Sequence, residues 1–556
     1  MRVFAYHKQS KHSYRKGYAP GPKRLSWDSQ PNPYRIFASA PQTSLSFLRV
    51  ATASPSILCH KDKVKPIDSE NAIDCISKLF FYSLSLSAMK SIPGGSSWDL
   101  RVNPSSGNLH PTETFIILPQ GLYHYMPKEH ALALRCSFES NPSFSELCSD
   151  LNLSREKTKG LIAFSSILWR ESWKYGSRAL RYCNHDVGHA IAALTISASL
   201  QGLETRVMDS IDANVLEKLI GIDRVEDYQV VEEIDVIHCL IAVGSEFEPN
   251  LGDPRDRNLE KFFRSVKQAK WFGRANRLSS EFIDWDGIAE AEESLRFCSR
   301  QLSSFSPSKE FVFSGQIPFK DSSHSLPELI RNRRSVWEMN PSYQMRNQDF
   351  WDILKLLVSV NQESPVWNAV QHWKCRIHLA IFVHRVERVE SGLYIFSRTR
   401  PDDQGFASFA STINLDLESC EVLSDSSLEL KLFRYLAGDV SQLAGTLCCQ
   451  QNIARDGAFT VLMMGNLGEA VEDEGPAAYE RIHWESGMIG QLLYLGAEAA
   501  GVNGTGIGCF FDTEIHQDVF GIPDDSCWQC FYGFAVGEGV PDRRIASTDP
   551  YASIRR

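Results

Sequence analysis

The sequence predicts an α+β protein built from two related units, and three observations carry that expectation. At 556 residues the chain is longer than one ordinary hydrophobic core can organise. Short apolar, β-rich runs alternate with longer runs of helical spacing in both halves, as at 114–118 beside 186–200 and at 531–537 beside 485–501. A segment also repeats. Asp186-Val187-Gly188 opens a small-residue apolar run ending at Gly202-Leu203, and Glu485-Ser486-Gly487 opens one ending at Gly501-Val502. In each, an acid stands two residues before a glycine and a second glycine follows fourteen positions later. Leu219-Ile220-Gly221-Ile222 is echoed in turn by Val519-Phe520-Gly521-Ile522. A repeat on this scale implies a duplicated unit, and two copies in one chain imitate an isologous homodimer.

Residues 1–70, rich in Pro, Ser and basic side chains, read as a mostly extended surface arm. The first unit takes 71–245. Helical spacing runs there from 71 to Met89, and a Pro/Ser/Gly/Asn loop follows at 104–111. Strands are expected at 114–118 and 121–125, a long helix at 186–200 closed by Gly202, and a buried strand at 236–243. Residues 246–324 change character. Pro249, Gly252 and Pro254, charged helical stretches near 257–270 and 287–300, and a Ser-rich piece at 303–308 mark a helical connector. The second unit takes 325–556 and closes on a strand at 531–537.

Composition narrows the function classes. Lys and Arg number 58 against 68 Asp and Glu, a formal charge of −10 that argues against a dedicated nucleic-acid binder. No apolar run approaches the roughly 20 residues that span a bilayer, and residues 1–24 are basic without the apolar segment of a secretory signal. The fourteen cysteines are scattered, mostly beside apolar residues, which suits reduced buried thiols in a cytoplasmic compartment.

The chemistry concentrates in five stretches. Pro104-Ser105-Ser106-Gly107-Asn108-Leu109-His110-Pro111 is a loop whose prolines fix φ and whose glycine permits a tight turn. Its two hydroxyls, amide and main-chain N–H groups suit a flat polar heterocycle. Trp173-Lys174-Tyr175-Gly176-Ser177-Arg178 places a lysine beside a phenol. Arg331, Arg333, Arg334 and Ser335 fall within five residues, and arginine's planar fork suits phosphate. Gly504-Thr505-Gly506-Ile507-Gly508 spells GxGxG, but a helix precedes it and an apolar run follows. That is the wrong context for a dinucleotide turn, so it reads as a glycine loop open to a ligand. Arg543 and Arg544 follow the last strand.

Together these stretches resemble the nitroreductase superfamily of FMN flavoproteins, in its SagB/ThcOx-type dehydrogenase branch. The loop with Ser105, Ser106 and Asn108 resembles that superfamily's flavin loop. Arg333-Arg334-Ser335 is similar to its Arg-Arg-Ser motif, Gly504–Gly508 to its glycine loop, and Arg543 and Arg544 to its C-terminal phosphate clamp. The resemblance implies two nitroreductase-like domains, each a mainly antiparallel sheet flanked by helices, packed as an intramolecular pseudo-dimer. It implies bound FMN, hydride or electron transfer to or from a small-molecule substrate, and NAD(P)H as a transient reductant.

The first loop lies in unit 1 and the other cofactor motifs in unit 2, which implies one composite flavin site and one vestigial site. At the complementary positions stand 363–368 in unit 2 and 203–209 in unit 1. The Lys174-Tyr175 pair resembles a pair that removes the substrate proton in azoline dehydrogenases. Trp337 departs from the pattern, standing where the family often has a basic residue.

Rival readings remain at this stage. His110 and His189 are alternative proton carriers. His185-Asp186-Val187-Gly188-His189 spells H-D-x-x-H, near a zinc hydrolase motif, but offers no third ligand. Cys527-x-x-Cys530 lacks the second pair of a structural zinc site and reads as part of a buried strand. A flavin-binding or interaction protein without turnover is the other alternative.

Overall fold

The computed structural model describes residues 2–60, 72–138, 142–247, 259–266, 269–296, 317–319, 322–359, 363–399, 403–424 and 430–555. The Ser-rich piece at 303–308, Pro249, Gly252, Pro254 and Asn71 lie outside them.

The N-terminal segment opens with a helix, α1 (Arg2–Gln9). Unit 1 follows with α2 (Ala72–Phe81), the hairpin β1 (Leu86–Ser91) and β2 (Ser97–Arg101), then β3 (Thr112–Leu118), β4 (Gly121–Met126), β5 (Ala131–Ser137) and β6 (Thr158–Ser166). It ends with α3 (Leu168–Tyr175), the long α4 (Ala179–Ser199), β7 (Glu204–Met208) and β8 (Val236–Gly244). Unit 2 contains α5 (Leu326–Asn332), β9 (Ile377–Val383), β10 (Gly392–Phe396), β11 (Lys431–Ala437), β12 (Phe459–Asn466), the long α6 (Ala478–Ala499), β13 (Asn503–Ile507), β14 (Trp528–Gly537) and β15 (Ala546–Thr548).

The two large sheets run β5-β4-β3-β6-β8-β7 and β11-β10-β9-β12-β14-β13, with further strands at the β5 and β11 edges. Every named pair in them is antiparallel. The two orders are the same, and α4 and α6 occupy the same place in them. β3 and β9 are buried on both faces because period-2 alternation divides their side chains between layers. Ile116 and Leu118 join Ile377, Leu379 and Ile381 in one core shared by both units, while Phe115 and Ile117, and Ala380 and Phe382, enter separate outer cores.

The repeated residues explain themselves at the centre. Gly202 (φ 69°) and Gly501 (φ 75°) take the left-handed conformation that ends a helix. The following N–H groups reach back alike, Leu203 to Ala198 O at 3.1 Å and Val502 to Ala497 O at 2.9 Å. α4 and α6 cross at the other glycine pair. A Cβ on Gly188 would strike the Trp484 carbonyl and come 2.9 Å from Gly487 Cα, and a Cβ on Gly487 would strike the His185 carbonyl and come 2.9 Å from Gly188 Cα. Trp484 and His185 are themselves equivalent in the repeat, so the contact is reciprocal.

The arm and connector bind the units together. The residues read as an extended arm begin instead as helix α1, because Val3 and Tyr6 recur on one face and are buried with His7. His7 Nε2 lies 3.1 Å from Gln529 Oε1 in unit 2, and Arg181 Nη2 in unit 1 donates to His7 O at 2.9 Å. The connector supplies helices Glu260–Val266 and Ile288–Arg296 and a short strand, Lys270–Trp271, on the β5 edge. From the other end, β15 of unit 2 pairs with β1 of unit 1, giving the sheet β15-β1-β2.

Three local expectations are corrected. The helix from 72 stops at Phe81 rather than Met89, because the Ser83 and Ser85 hydroxyls bond back to Leu79 O and Phe81 O and the chain turns extended. The glycine-rich stretch is strand β13 rather than a loop, since Gly501 ends α6 early. The thiols are not all reduced: Cys449 and Cys509 form a disulfide, their Cα atoms 5.9 Å apart where the chain after β13 passes the turn at 448–451.

Gly487→Ala forces the helix crossing apart and is expected to lower stability by roughly 1–3 kcal/mol. Thermal unfolding beside the parent protein checks this, and an unchanged midpoint would mean that the crossing relaxes freely.

Candidate functional site

The Ser/Asn loop is held from below by α4. Ser106 N–H donates to Asp186 Oδ1 at 3.0 Å and the Ser106 hydroxyl to the same oxygen at 3.1 Å. Gly107 (φ 61°), Asn108 (φ 60°) and His110 (φ 53°) are left-handed, a strained run fixed by its own bonds. Ser105 Oγ accepts from His110 N–H at 2.8 Å, Asn108 Nδ2 donates to Asp99 O at 2.9 Å, and Asn108 Oδ1 lies 2.9 Å from His110 Nε2. Arg170 Nη1 donates to His110 O at 2.8 Å and anchors the loop's far end.

The end of α3 closes on this loop, bringing Lys174 and Tyr175 to the predicted serines and asparagine. A Cβ on Gly107 would lie 2.9 Å from Lys174 Nζ and 2.5 Å from the Tyr175 hydroxyl, and its φ of 61° is one that side chains rarely adopt. Burial lowers the Lys174 pKa, with Glu171 opposing the shift. Glu171 itself is buried, and burial, then Asp186, push its pKa well up against the pull of Lys174 and the Ser105 hydroxyl. Burial raises Asp186 to about 7 against the pull of its serine bonds. Sequence reasoning missed Glu171, which no repeat marks, and saw Asp186 as part of the repeat and of the H-D-x-x-H stretch, not beside the Ser/Asn loop.

Unit 2 supplies a second group. Arg333 is buried with its guanidinium 4.6 Å from the Tyr494 ring centre, and its Nε and Nη1 have no partner. The Ser335 and Tyr494 hydroxyls lie 2.8 Å apart, and Gly506 N–H donates to Tyr494 at 3.0 Å. Val336 N–H donates to Thr505 Oγ1 at 3.0 Å, which ties the Arg-Arg-Ser segment to β13.

The glycines of β13 do not leave bare backbone. Gly504 faces Phe534, Gly506 faces the Tyr532 hydroxyl, and Gly508 faces Tyr182. A flat ligand here therefore meets aromatic rings. Tyr532 joins the two groups, its phenol raised well above its ordinary pKa by burial, then by Tyr494 and Asp186, with Arg333 opposing.

Other expected residues lie apart. Arg334 turns to main-chain carbonyls, donating to Arg333 O at 2.6 Å, Arg331 O at 2.9 Å and Ser87 O at 3.2 Å. Arg543 is exposed, and Arg544, 83% exposed, pairs with Asp542 at 2.7 Å. Trp337 is 91% exposed. His110 and His185 are held well below their ordinary pKa and His189 at about 3, each chiefly by burial, so they stay neutral near pH 7. His185 stacks on Tyr532, while the His189 nitrogens meet Gln491 and Tyr532 at 3.2 Å each. Among the described residues no three His, Cys, Asp or Glu side chains gather to hold a metal. Cys527 is exposed just before β14, so only Cys530 is a buried strand residue.

A knot between the units closes one side. Asp512 accepts from Arg178 Nη1 at 2.9 Å, Arg181 Nη1 at 2.8 Å and His12 N–H at 2.9 Å, all buried. Arg178 Nη2 also donates to Gly508 O at 3.1 Å. The arm passes over α3, where Ser177 N–H donates to Pro20 O at 2.9 Å.

The mirror-related place is built differently. Glu485, the equivalent of Asp186, accepts from Arg376 N–H at 3.1 Å and pairs with Arg398. The Arg376 guanidinium is taken by Asp473 and Glu474, and Arg481 by Glu474 and Asp209. Opposite, β7 carries Thr205 and Val207 where register places Gly504 and Gly506 in β13. The segment expected to replace the Ser/Asn loop forms the helix Pro365–Ala369, with Ser364 bonded to Leu58 O.

Comparison with known proteins agrees with this architecture. Residues 420–538 match the family model described as the nitroreductase family. The trifolitoxin-processing protein TfxB of Rhizobium leguminosarum bv. trifolii is 25% identical over 217 residues, covering 36% of this chain and 58% of that protein. A structure solved as a nitroreductase from Anabaena variabilis ATCC 29413 covers 97% of this chain and 99% of its own at 19% identity and a TM-score of 0.63, which shows a shared fold. A nitroreductase from Exiguobacterium sibiricum 255-15 in complex with FMN covers 40% of this chain and 90% of its own, at 12% identity and a TM-score of 0.23. No described helix is long and apolar enough to cross a membrane.

Asp186 keeps a proton to about pH 7 in the fold, whereas an unfolded aspartate releases it near pH 4. Its contribution to stability is therefore complete below pH ~4 and falls by up to about 1.4 kcal/mol per pH unit until pH ~7. Asp186→Asn should flatten that part of the profile, which chemical unfolding of both proteins from pH 4.5 to 7.5 would show.

Proposed function

On the premise that this chain is a nitroreductase-superfamily protein, we propose that it is an FMN-dependent oxidoreductase of the SagB type with one composite flavin site between its units. The observation that carries this reading is the asymmetry of the two mirror-related places. One keeps Arg333 with two buried, unpartnered donor nitrogens opposite the Ser/Asn loop. In the other, Arg376, Arg398 and Arg481 each pair with a carboxylate, although Arg398 Nη2 and Arg481 Nη2 lack a hydrogen-bond partner there too. A buried guanidinium without an acceptor is costly, and an anionic ligand relieves that cost.

The residues fit FMN in chemistry. Arg333 and Ser335 offer donors for its phosphate, Ser105 and Asn108 offer neutral polar groups, and Tyr182 and Tyr532 offer flat faces. When bound, FMN supplies two-electron redox chemistry. Lys174, lowered by burial beside Tyr175, would take the proton a substrate releases as it is oxidised. Burial, then Asp186, push the Glu171 pKa well up, which weakens its hold on the Lys174 proton. The resemblance of Lys174-Tyr175 to the azoline dehydrogenase pair favours an azoline-like ring as the substrate, with NAD(P)H as reductant in the opposite direction.

A second reading has its own observation. Aromatic rings already cover Gly504, Gly506 and Gly508, as in a scaffold that has lost its cofactor. Flavin released from the purified full-length protein decides between them. About one FMN per chain supports the composite site, two per chain would remove the asymmetry, and a colourless protein that cannot be reconstituted favours the scaffold. Asn108→Ala and Arg333→Gln, in different units, should each weaken FMN binding about tenfold or more, at about 1.4 kcal/mol per decade. Lys174→Gln should keep its flavin yet slow bleaching by an azoline-containing peptide about a hundredfold.

A further inference from the structure

A cavity of about 500 Å³ opens where the arm, unit 1 and both ends of unit 2 meet. Four guanidinium groups line it: Arg49 from the arm, Arg331 and Arg334 at the end of α5, and Arg555. One carboxylate, Asp549, shares the lining, and it pairs with Arg555 at 3.0 Å. The other cations turn to neutral acceptors. Arg331 Nη1 donates to Phe81 O at 3.1 Å and Ser85 Oγ at 2.8 Å, while Arg334 donates to Arg331 O at 2.9 Å and Ser87 O at 3.2 Å. Lys90 on β1 stands near enough to Arg334 and Arg333 for their charges to lower its pKa, after burial. Glu498 accepts from the Arg334 main-chain N–H at 3.3 Å and from Asn503 Nδ2 at 3.4 Å.

These cations are held in place. Arg331 lies 4.1 Å from the Phe81 ring centre and Arg555 lies 4.7 Å from that of Phe47. Stacking of this kind fixes an arginine fork before a ligand arrives. Ser547 and Thr548 of β15 add hydroxyl groups. Like charges converge here at a cost, and burial, then Arg333 and Arg331, bring Arg334 down to about 10. A bound anion would offset that repulsion. The cavity adjoins the flavin cradle, and the two divide the neighbouring arginines: Arg333 turns to Tyr494 while Arg334 turns to Ser87.

We propose that this cavity is a second anion site, taking a small molecule with a phosphate or pyrophosphate group. Its occupant bridges the arm, α5 and β15, so binding stiffens the junction of the two units. The inference does not depend on the flavin reading.

The experiment is calorimetric titration of the full-length protein with inorganic pyrophosphate at fixed ionic strength, beside thermal unfolding and released flavin per chain. Pyrophosphate should bind and raise the unfolding midpoint. Arg49→Gln and Arg555→Gln should each weaken binding at least tenfold with flavin content unchanged, and Arg333→Gln should leave pyrophosphate affinity within twofold. No binding by the parent protein, or unchanged affinity in both cavity variants, overturns the proposal. Loss of pyrophosphate binding in Arg333→Gln, or competition between pyrophosphate and FMN for one site, would merge the cavity with the cradle and overturn it as a separate site. Citrate binding as tight as pyrophosphate would overturn the assignment to phosphate.

Discussion

The crossing of α4 and α6 at Gly188 and Gly487 sets the distance between the two units, and the rest of the structure depends on it. Neither position has room for a Cβ, because each faces the other helix's main chain. Close-packed interiors do not absorb a shift locally. Moving the helices apart would move Asp186 and the loop it holds away from Tyr532, Tyr494 and Arg333. The spacing of a duplicated fold is thus also the spacing of the candidate site.

Around that symmetric centre the chain is asymmetric. Asp512 gathers Arg178, Arg181 and the His12 N–H on one side only, and the arm lies across α3 on the same side. Burial raises the Asp512 pKa, but the two arginines outweigh it and hold the carboxylate far below its usual range. Removing one partner from such a buried cluster typically costs about 3–5 kcal/mol. The mirror-related place spends its charges on itself, through Arg376, Arg398, Glu474 and Arg481. The two units share one strand order, yet Arg333 has no carboxylate partner in one place while ion pairs tie the other.

Much of the architecture was legible because glycine has few substitutes. The repeat at 186–202 and 485–501 marked two equivalent helices, and their glycines proved to be a crossing point and two helix ends. The Ser/Asn loop was legible from its Pro, Ser, Gly and Asn content, and Lys174 and Tyr175 only from a family resemblance; the structure brings their side-chain ends to Gly107. Partnerships were not legible. Glu171 stands in an ordinary helical segment, and nothing in its spacing tells that Asp186 lies close. The glycines of β13 looked open to a ligand, yet their space is used by Phe534, Tyr532 and Tyr182 from other elements.

The sequence by itself determined the duplication, the element types near the repeat and the residue kinds that any site could draw on. These depend on local backbone freedom and on periodicity, which are properties of short stretches. The tertiary structure alone decided that Cys449 meets Cys509, that Arg333 stacks on Tyr494 while Arg334 turns to Ser87, and that Arg49, Arg331, Arg334 and Arg555 line one cavity. Such meetings join residues tens to hundreds of positions apart. They are fixed by how the helices cross and how β15 returns to β1, and no local pattern encodes that geometry.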